Sequence, residues 1–152
     1  MVLNSSAIAP WLTPWLIWAL LSALFASLTA IFAKLGLRGV DSDFATLIRT
    51  SVILLVLAGF VAWTGKWSDP RALPGKTWLF LVLSALATGA SWVCYFRALQ
   101  IGDASKVAPV DKLSVVLVAL FALAFLGERP SLKDWCGIVL VAAGVVLLSL
   151  RL

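Results

Sequence analysis

Five apolar stretches, each about as long as a helix that crosses a bilayer, take up nearly the whole of this chain. They lie at about residues 15–37, 44–63, 78–99, 107–126 and 132–150. At about 1.5 Å per residue the last of them is roughly 28 Å long, against a hydrocarbon core of about 30 Å. Only 12% of the residues are charged and 62% are apolar, where a soluble domain carries about 25% charged residues. The pattern predicts an all-α membrane protein with residues 1–152 as one five-helix domain, the five spans leaving almost nothing for a soluble domain.

The connections are short and carry the turn residues. Residues 65–76 hold two prolines, two glycines and four charges, which makes them a loop. Residues 101–106 separate the third and fourth helices, and Pro109 stands at the entrance of the fourth, where it starts or kinks the helix and frees a carbonyl near Ser105. Ser131 and Asp134 have the spacing of a capping box before the fifth helix. The segment ahead of the first helix has no charged side chain; without a basic n-region the first span is read as a retained helix rather than a signal peptide.

Seven of the eight tryptophans fall at one side of such a bundle: Trp11, Trp15, Trp18, Trp63, Trp67, Trp78 and Trp135. Indole favours the headgroup level, so they form an aromatic belt. Trp92 is the exception, well inside the third helix. The basic residues, scattered one to three per loop, exclude the clustered stripe of a nucleic-acid binder. Lys66, Arg71, Lys76, Arg129 and Lys133 lie on the tryptophan side. Lys34, Arg38, Lys106 and Arg151 lie on the other, with Arg49, Arg97 and Lys112 at or inside helix ends there. A tally this even does not fix an orientation, and it predicts a chain that inserts both ways round.

Chemistry is sparse. The chain has no histidine, its two cysteines are far apart in sequence, and it has no glycine-rich phosphate loop. The known sets for nucleophilic, metal and nucleotide chemistry are missing, so neither an enzyme nor a cofactor or metal is expected. Ser84, Thr88, Ser91 and Tyr95 recur at i, i+4, i+7 and i+11, one narrow face of the third helix. With Tyr95 large and Trp92 beside it, this face reads as a cavity wall. The small residues Ser22, Ala26, Thr29, Ala33 and Gly36 of the first helix, and Gly137 and Gly144 of the last, read as close-packing faces. Lys34 and Arg49 read as end residues snorkelling to headgroups. Asp111 and Lys112 read as site residues, because a cation near a helix N-terminus needs a counter-ion or a ligand. Standing 100° apart, they predict Lys112 in the cavity and Asp111 paired with a base such as Arg97 or Lys106.

The run from Ala98 through Gly102-Asp103-Ala104-Ser105-Lys106 to Pro109, then Leu126-Gly127-Glu128, then Gly137 and Gly144, resembles the EamA repeat of the drug/metabolite transporter superfamily. The resemblance covers nearly the whole chain. Such transporters generally look like two five-helix repeats of opposite orientation around a central cavity, and this sequence holds one. Its charged Pro109-Val110-Asp111-Lys112 resembles the single-repeat bacterial subgroup. Small multidrug exporters are less similar, having four helices and an essential Glu in the first, where this chain has no carboxylate.

The resemblance implies a multi-pass protein of the bacterial inner membrane, pairing with a second copy or a paralogous five-helix chain into a ten-helix assembly. An antiparallel homodimer would export a small metabolite or drug by alternating access, because transporters commonly place their site where two inverted repeats meet. The substrate would meet Lys112, Asp111, Arg97, Trp92, Tyr95, Ser91, Thr88 and Ser84, and the inventory of Arg97, Lys112 and Arg49 with Trp92 and Tyr95 suits a substrate with an anionic or zwitterionic group and some apolar surface. Pro109, Glu128, Gly137 and Gly144 would be structural or gating residues. Membrane lipid and the substrate are the other expected partners. The rival readings are a non-transporting scaffold or accessory subunit and a small dual-topology channel.

Overall fold

A computed structural model describes residues 13–150. The described residues are all-helical: α1 Pro14–Gly36, α2 Ser42–Trp63, α3 Gly75–Ile101, α4 Ala104–Asp111, α5 Ser114–Phe121 and α6 Leu132–Ser149. A π-helical turn, Ala122–Leu126, continues α5, so α4, α5 and that turn form one span of 23 residues. Among the described residues five helical spans are long and apolar enough to cross a membrane.

Local signals set the ends. Pro14 opens α1, where its missing N–H costs nothing. The Asp41 carboxylate accepts the N–H groups of Asp43 and Phe44, both at 3.0 Å, at the start of α2. Ser131 and Asp134 make the predicted reciprocal cap: Ser131 N–H donates to Asp134 Oδ2 at 2.8 Å and Asp134 N–H to Ser131 Oγ at 3.3 Å. Gly127 closes the fourth span at φ 68°, a left-handed turn that suits glycine.

The sequence boundaries shift in three places. The third helix runs 75–101 rather than 78–99, because Gly75, Lys76 and Thr77 fit the first turn behind Pro74. The link to the fourth shrinks to Gly102-Asp103, and α4 begins at Ala104 rather than 107. Pro109 therefore lies inside α4 instead of at its entrance. The break falls after it, at Lys112-Leu113, where the N–H groups of Lys112, Leu113, Val115 and Val116 donate to the carbonyl three residues back rather than four. A proline disturbs the turn before it, so Pro109 does not account for a break on its far side.

Only 6% to 11% of the residues in an 18-residue apolar stretch of each span are buried by the rest of the chain. The main packed cluster is Leu37, Phe96 and Leu99, flanked by Ala33, Ala45, Tyr95, Ala104 and Val107, at the end opposite the tryptophans. Trp15, Trp18, Trp63, Trp67 and Trp78 are exposed at their end; Trp11 lies outside the described residues. The close approach expected at Gly137 and Gly144 is not made within the chain, since a Cβ at either would meet nothing within 4 Å.

Lys34 corrects its reading as a snorkelling residue. Its Nζ donates to the carbonyls of Leu99 at 2.7 Å and Gly102 at 2.8 Å, so α1 caps the C-terminus of α3. The cap meets a tight corner: a Cβ on Gly102 would stand 3.0 Å from Val107 Cγ2 and 3.2 Å from the Ala98 carbonyl oxygen. Lys34→Met removes two charge-assisted bonds and is expected to cost about 2 kcal/mol, measured as unfolding in detergent. An unchanged midpoint would show that the cap contributes nothing net.

Candidate functional site

The charged residues at membrane depth come together at one level. Arg49 lies about 10 Å into α2 from Ser42, Trp92 about 13 Å into α3 from Ile101, and Asp111 about 10 Å into α4 from Ala104. They line a cavity of about 580 Å³ walled by Ser22, Ala26 and Thr29 of α1, Ser91, Trp92, Tyr95 and Phe96 of α3, and Asp111 and Lys112. The break in the fourth span opens onto this cavity; irregular backbone at such depth is tolerated against protein or a water-filled cavity.

Sequence reasoning read Arg49 as a headgroup residue, while also counting it with Arg97 and Lys112 among the cations that would suit an anionic group. Its guanidinium carbon stands 4.3 Å from the centre of the Trp92 ring and 5.0 Å from that of Phe96. This is cation–π geometry. Its Nη1 is buried and has no hydrogen-bond partner among the described residues. The signal that could have found it was its partner: Trp92, a tryptophan too deep for the belt, needed a reason to be there.

Asp111 and Lys112 reach the cavity but not in the predicted pairing. Lys112 Nζ donates to Asp111 Oδ2 at 3.2 Å, so the two neutralise each other. The expected partner Arg97 instead donates through Nε and Nη2 to both oxygens of Asp43, at 2.9 and 2.6 Å. That fork joins α3 to α2 near the helix ends, outside the cavity wall. Lys106 lines a neighbouring groove of about 470 Å³ between α3, α4 and the end of α6, together with Cys94, Ala98, Val107 and Val110. Ser91, Tyr95 and Asp111 border both spaces.

The polar stripe of α3 divides. Ser91 and Tyr95 face the cavity, while Ser84 and Thr88 lie farther along toward the tryptophan end and are exposed there, with Thr88 Oγ1 donating to the Ser84 carbonyl at 2.8 Å. The α1 stripe divides too, against its reading as a packing face alone. Ser22, Ala26 and Thr29 line the cavity and Ala33 packs in the buried cluster. Pro109 borders a smaller space between α1 and α4 that also touches Tyr95 and Lys112. Glu128 sits away from all of this, with Arg129 and Asp134 at the turn before α6. Among the described residues no three histidine, cysteine or carboxylate side chains group as a metal site.

Five membrane-length helices, four of which contribute to a cavity with charged residues in its wall, define a multi-pass membrane protein. The chain belongs to the EamA-like transporter family, which it matches over residues 13–150. It is 62% identical over 135 residues to an uncharacterized transporter in the cobO 3' region of a Sinorhizobium species, covering 89% of this chain and 96% of that protein. Similarity to the uncharacterized transporter YxxF of Bacillus subtilis is 26% over 137 residues, 90% of this chain and 42% of that longer protein. A third relative is the probable 4-amino-4-deoxy-L-arabinose-phosphoundecaprenol flippase subunit ArnE of Yersinia pestis. It is 27% identical over 112 residues, 67% of this chain and 98% of its own length. No solved structure matches.

Proposed function

We propose that this transporter chain is one half of a carrier, completed by a second copy of opposite orientation, that exports a small molecule from the bacterial cell across the inner membrane by alternating access. The observation that carries the reading is the cavity, with charged residues at membrane depth and a wall supplied by only some of the helices a closed path needs. The even basic tally supports two orientations, and the match to a little under half of YxxF suits a chain that must double. Residues 1–152 would act as one five-helix domain. Arg49, Ser91, Trp92, Tyr95, Asp111 and Lys112 would face the substrate, with Ser84 and Thr88 along its path toward the tryptophan end. Arg97 would fasten α2 to α3, Pro109 would shape the approach from α1, and Glu128, Gly137 and Gly144 would serve structure or gating.

The groove that shares Ser91, Tyr95 and Asp111 with the cavity favours a second reading, in which the substrate carries an apolar tail and enters from the lipid. The resemblance to a flippase subunit supports it.

The test is purified protein in liposomes, loaded under an imposed proton gradient with a panel of labelled carboxylates, phosphate esters and short-chain lipid-linked phosphates. Accumulation against a concentration gradient by a cross-linkable dimer is the expected result. Equilibration without accumulation would make the protein a channel, and no movement of any compound would leave an accessory subunit.

A further inference from the structure

Cavity charge is unequally shared. Asp111 and Lys112 cancel at 3.2 Å, which leaves Arg49 as the one uncompensated charge among the described residues of the wall. Its guanidinium already has the rings of Trp92 and Phe96 against it, at 4.3 and 5.0 Å. Rings satisfy the faces of a guanidinium and leave the N–H fork unused, and Nη1 is buried without an acceptor. A buried donor left unpaired is unfavourable, and the fork matches two oxygens of one oxyanion. Around it stand four aromatic side chains, Phe25, Trp92, Tyr95 and Phe96, within the same wall. Arg49, Thr29 and Phe96 also border a second cavity of about 440 Å³ between α1 and α2, so Arg49 stands where the two spaces adjoin.

We infer that Arg49 is the substrate anchor, binding a single oxyanion group, carboxylate or phosphate, on a molecule with a flat apolar part that lies among Phe25, Trp92 and Tyr95. This rests on the reading of the cavity as the substrate path and narrows it. It moves the anchoring charge from Lys112, whose neighbour neutralises it, to a residue on another helix.

Benzoate and benzamide are probes of the same shape that differ in charge, and inorganic phosphate has the charge without the ring. In detergent, benzoate at about tenfold its Kd is expected to raise the wild-type melting temperature by about 4 °C, phosphate by less and benzamide not at all. Arg49→Gln should abolish the benzoate shift. Arg49→Lys, which keeps the charge but not the fork, should retain less than half of it, and serves if Arg49→Gln does not fold. Arg38→Gln, an exposed charge outside the cavity, should keep it whole. Equal shifts from benzoate and benzamide, a full shift in either Arg49 variant, or no shift from benzoate and phosphate in the wild type would overturn the inference. A benzoate shift in protein that moves nothing in liposomes would sink the transport reading and leave the anchor standing. Transport of neutral compounds without any benzoate shift would do the reverse.

Discussion

Three lysines placed ahead of the first helix, as Asn4→Lys, Ser5→Lys and Ser6→Lys, are expected to abolish transport while leaving expression intact. The wild-type tally is five basic residues on the tryptophan side against four to seven on the other, depending on how Arg49, Arg97 and Lys112 are counted. Orientation follows short-loop Lys/Arg bias, so three added cations outweigh any margin in that tally. All copies should then insert one way, and an antiparallel pair cannot form. A reporter fused after Leu152 should be found on both sides of the membrane for the wild type and on one side for the variant. A wild-type reporter on one side only would remove the basis for pairing with an inverted copy of the same chain. Transport surviving in the variant would exclude the antiparallel pair directly.

Asp111→Asn should have the next largest effect, on folding before function. It strands the Lys112 ammonium at a depth where an unpaired charge costs roughly 2.5–3.5 kcal/mol on insertion scales. Contact with the cavity lowers that figure, and a loss of about 2 kcal/mol is expected, enough to reduce folded yield severalfold. The double variant Asp111→Asn with Lys112→Met should recover the yield, because removing both members of a pair leaves nothing stranded. Size-exclusion profiles and detergent melting of the two single variants and the double give the coupling. Additive losses would mean that the 3.2 Å contact carries no coupling energy.

Sequence alone revealed what neighbours in the chain decide. The five spans follow from apolar runs, and the Ser131 cap from a three-residue spacing, since both are local. The break in the fourth span was misplaced because the only local cue, Pro109, disturbs the turn before it, whereas the ladder changes at Lys112-Leu113, where neither glycine nor proline stands. Side-chain partners were the least legible part. Arg97 and Asp43 are 54 residues apart, Lys34 and Leu99 are 65 apart, and nothing in either segment names the other. A charge near a helix end can as readily meet a headgroup as a carbonyl of another helix, so Lys34 and Arg49 looked alike in sequence and have opposite fates. Of the residues that pattern proposed for the site, Trp92, Tyr95, Ser91, Asp111 and Lys112 line the cavity while Ser84, Thr88 and Arg97 do not, and Arg49, read mainly as an end residue, is brought in by its contact with Trp92.

The bonds that tie distant segments together have one address. Lys34 to Leu99 and Gly102, Arg97 to Asp43, and the Gln100 amide to the Val40 carbonyl at 2.9 Å all lie at the end away from the tryptophans. Toward the tryptophan end, the side-chain bonds among the described residues stay local, the farthest being from Trp78 Nε1 to the Pro70 carbonyl, eight positions away, at 2.9 Å. Among the described residues, side-chain hydrogen bonds thus tie the helices to one another at one end of the bundle only. At the other end the helices meet through apolar side chains, without such bonds. Two copies set head to tail, as proposed, would put one tied end and one untied end at each face of the membrane.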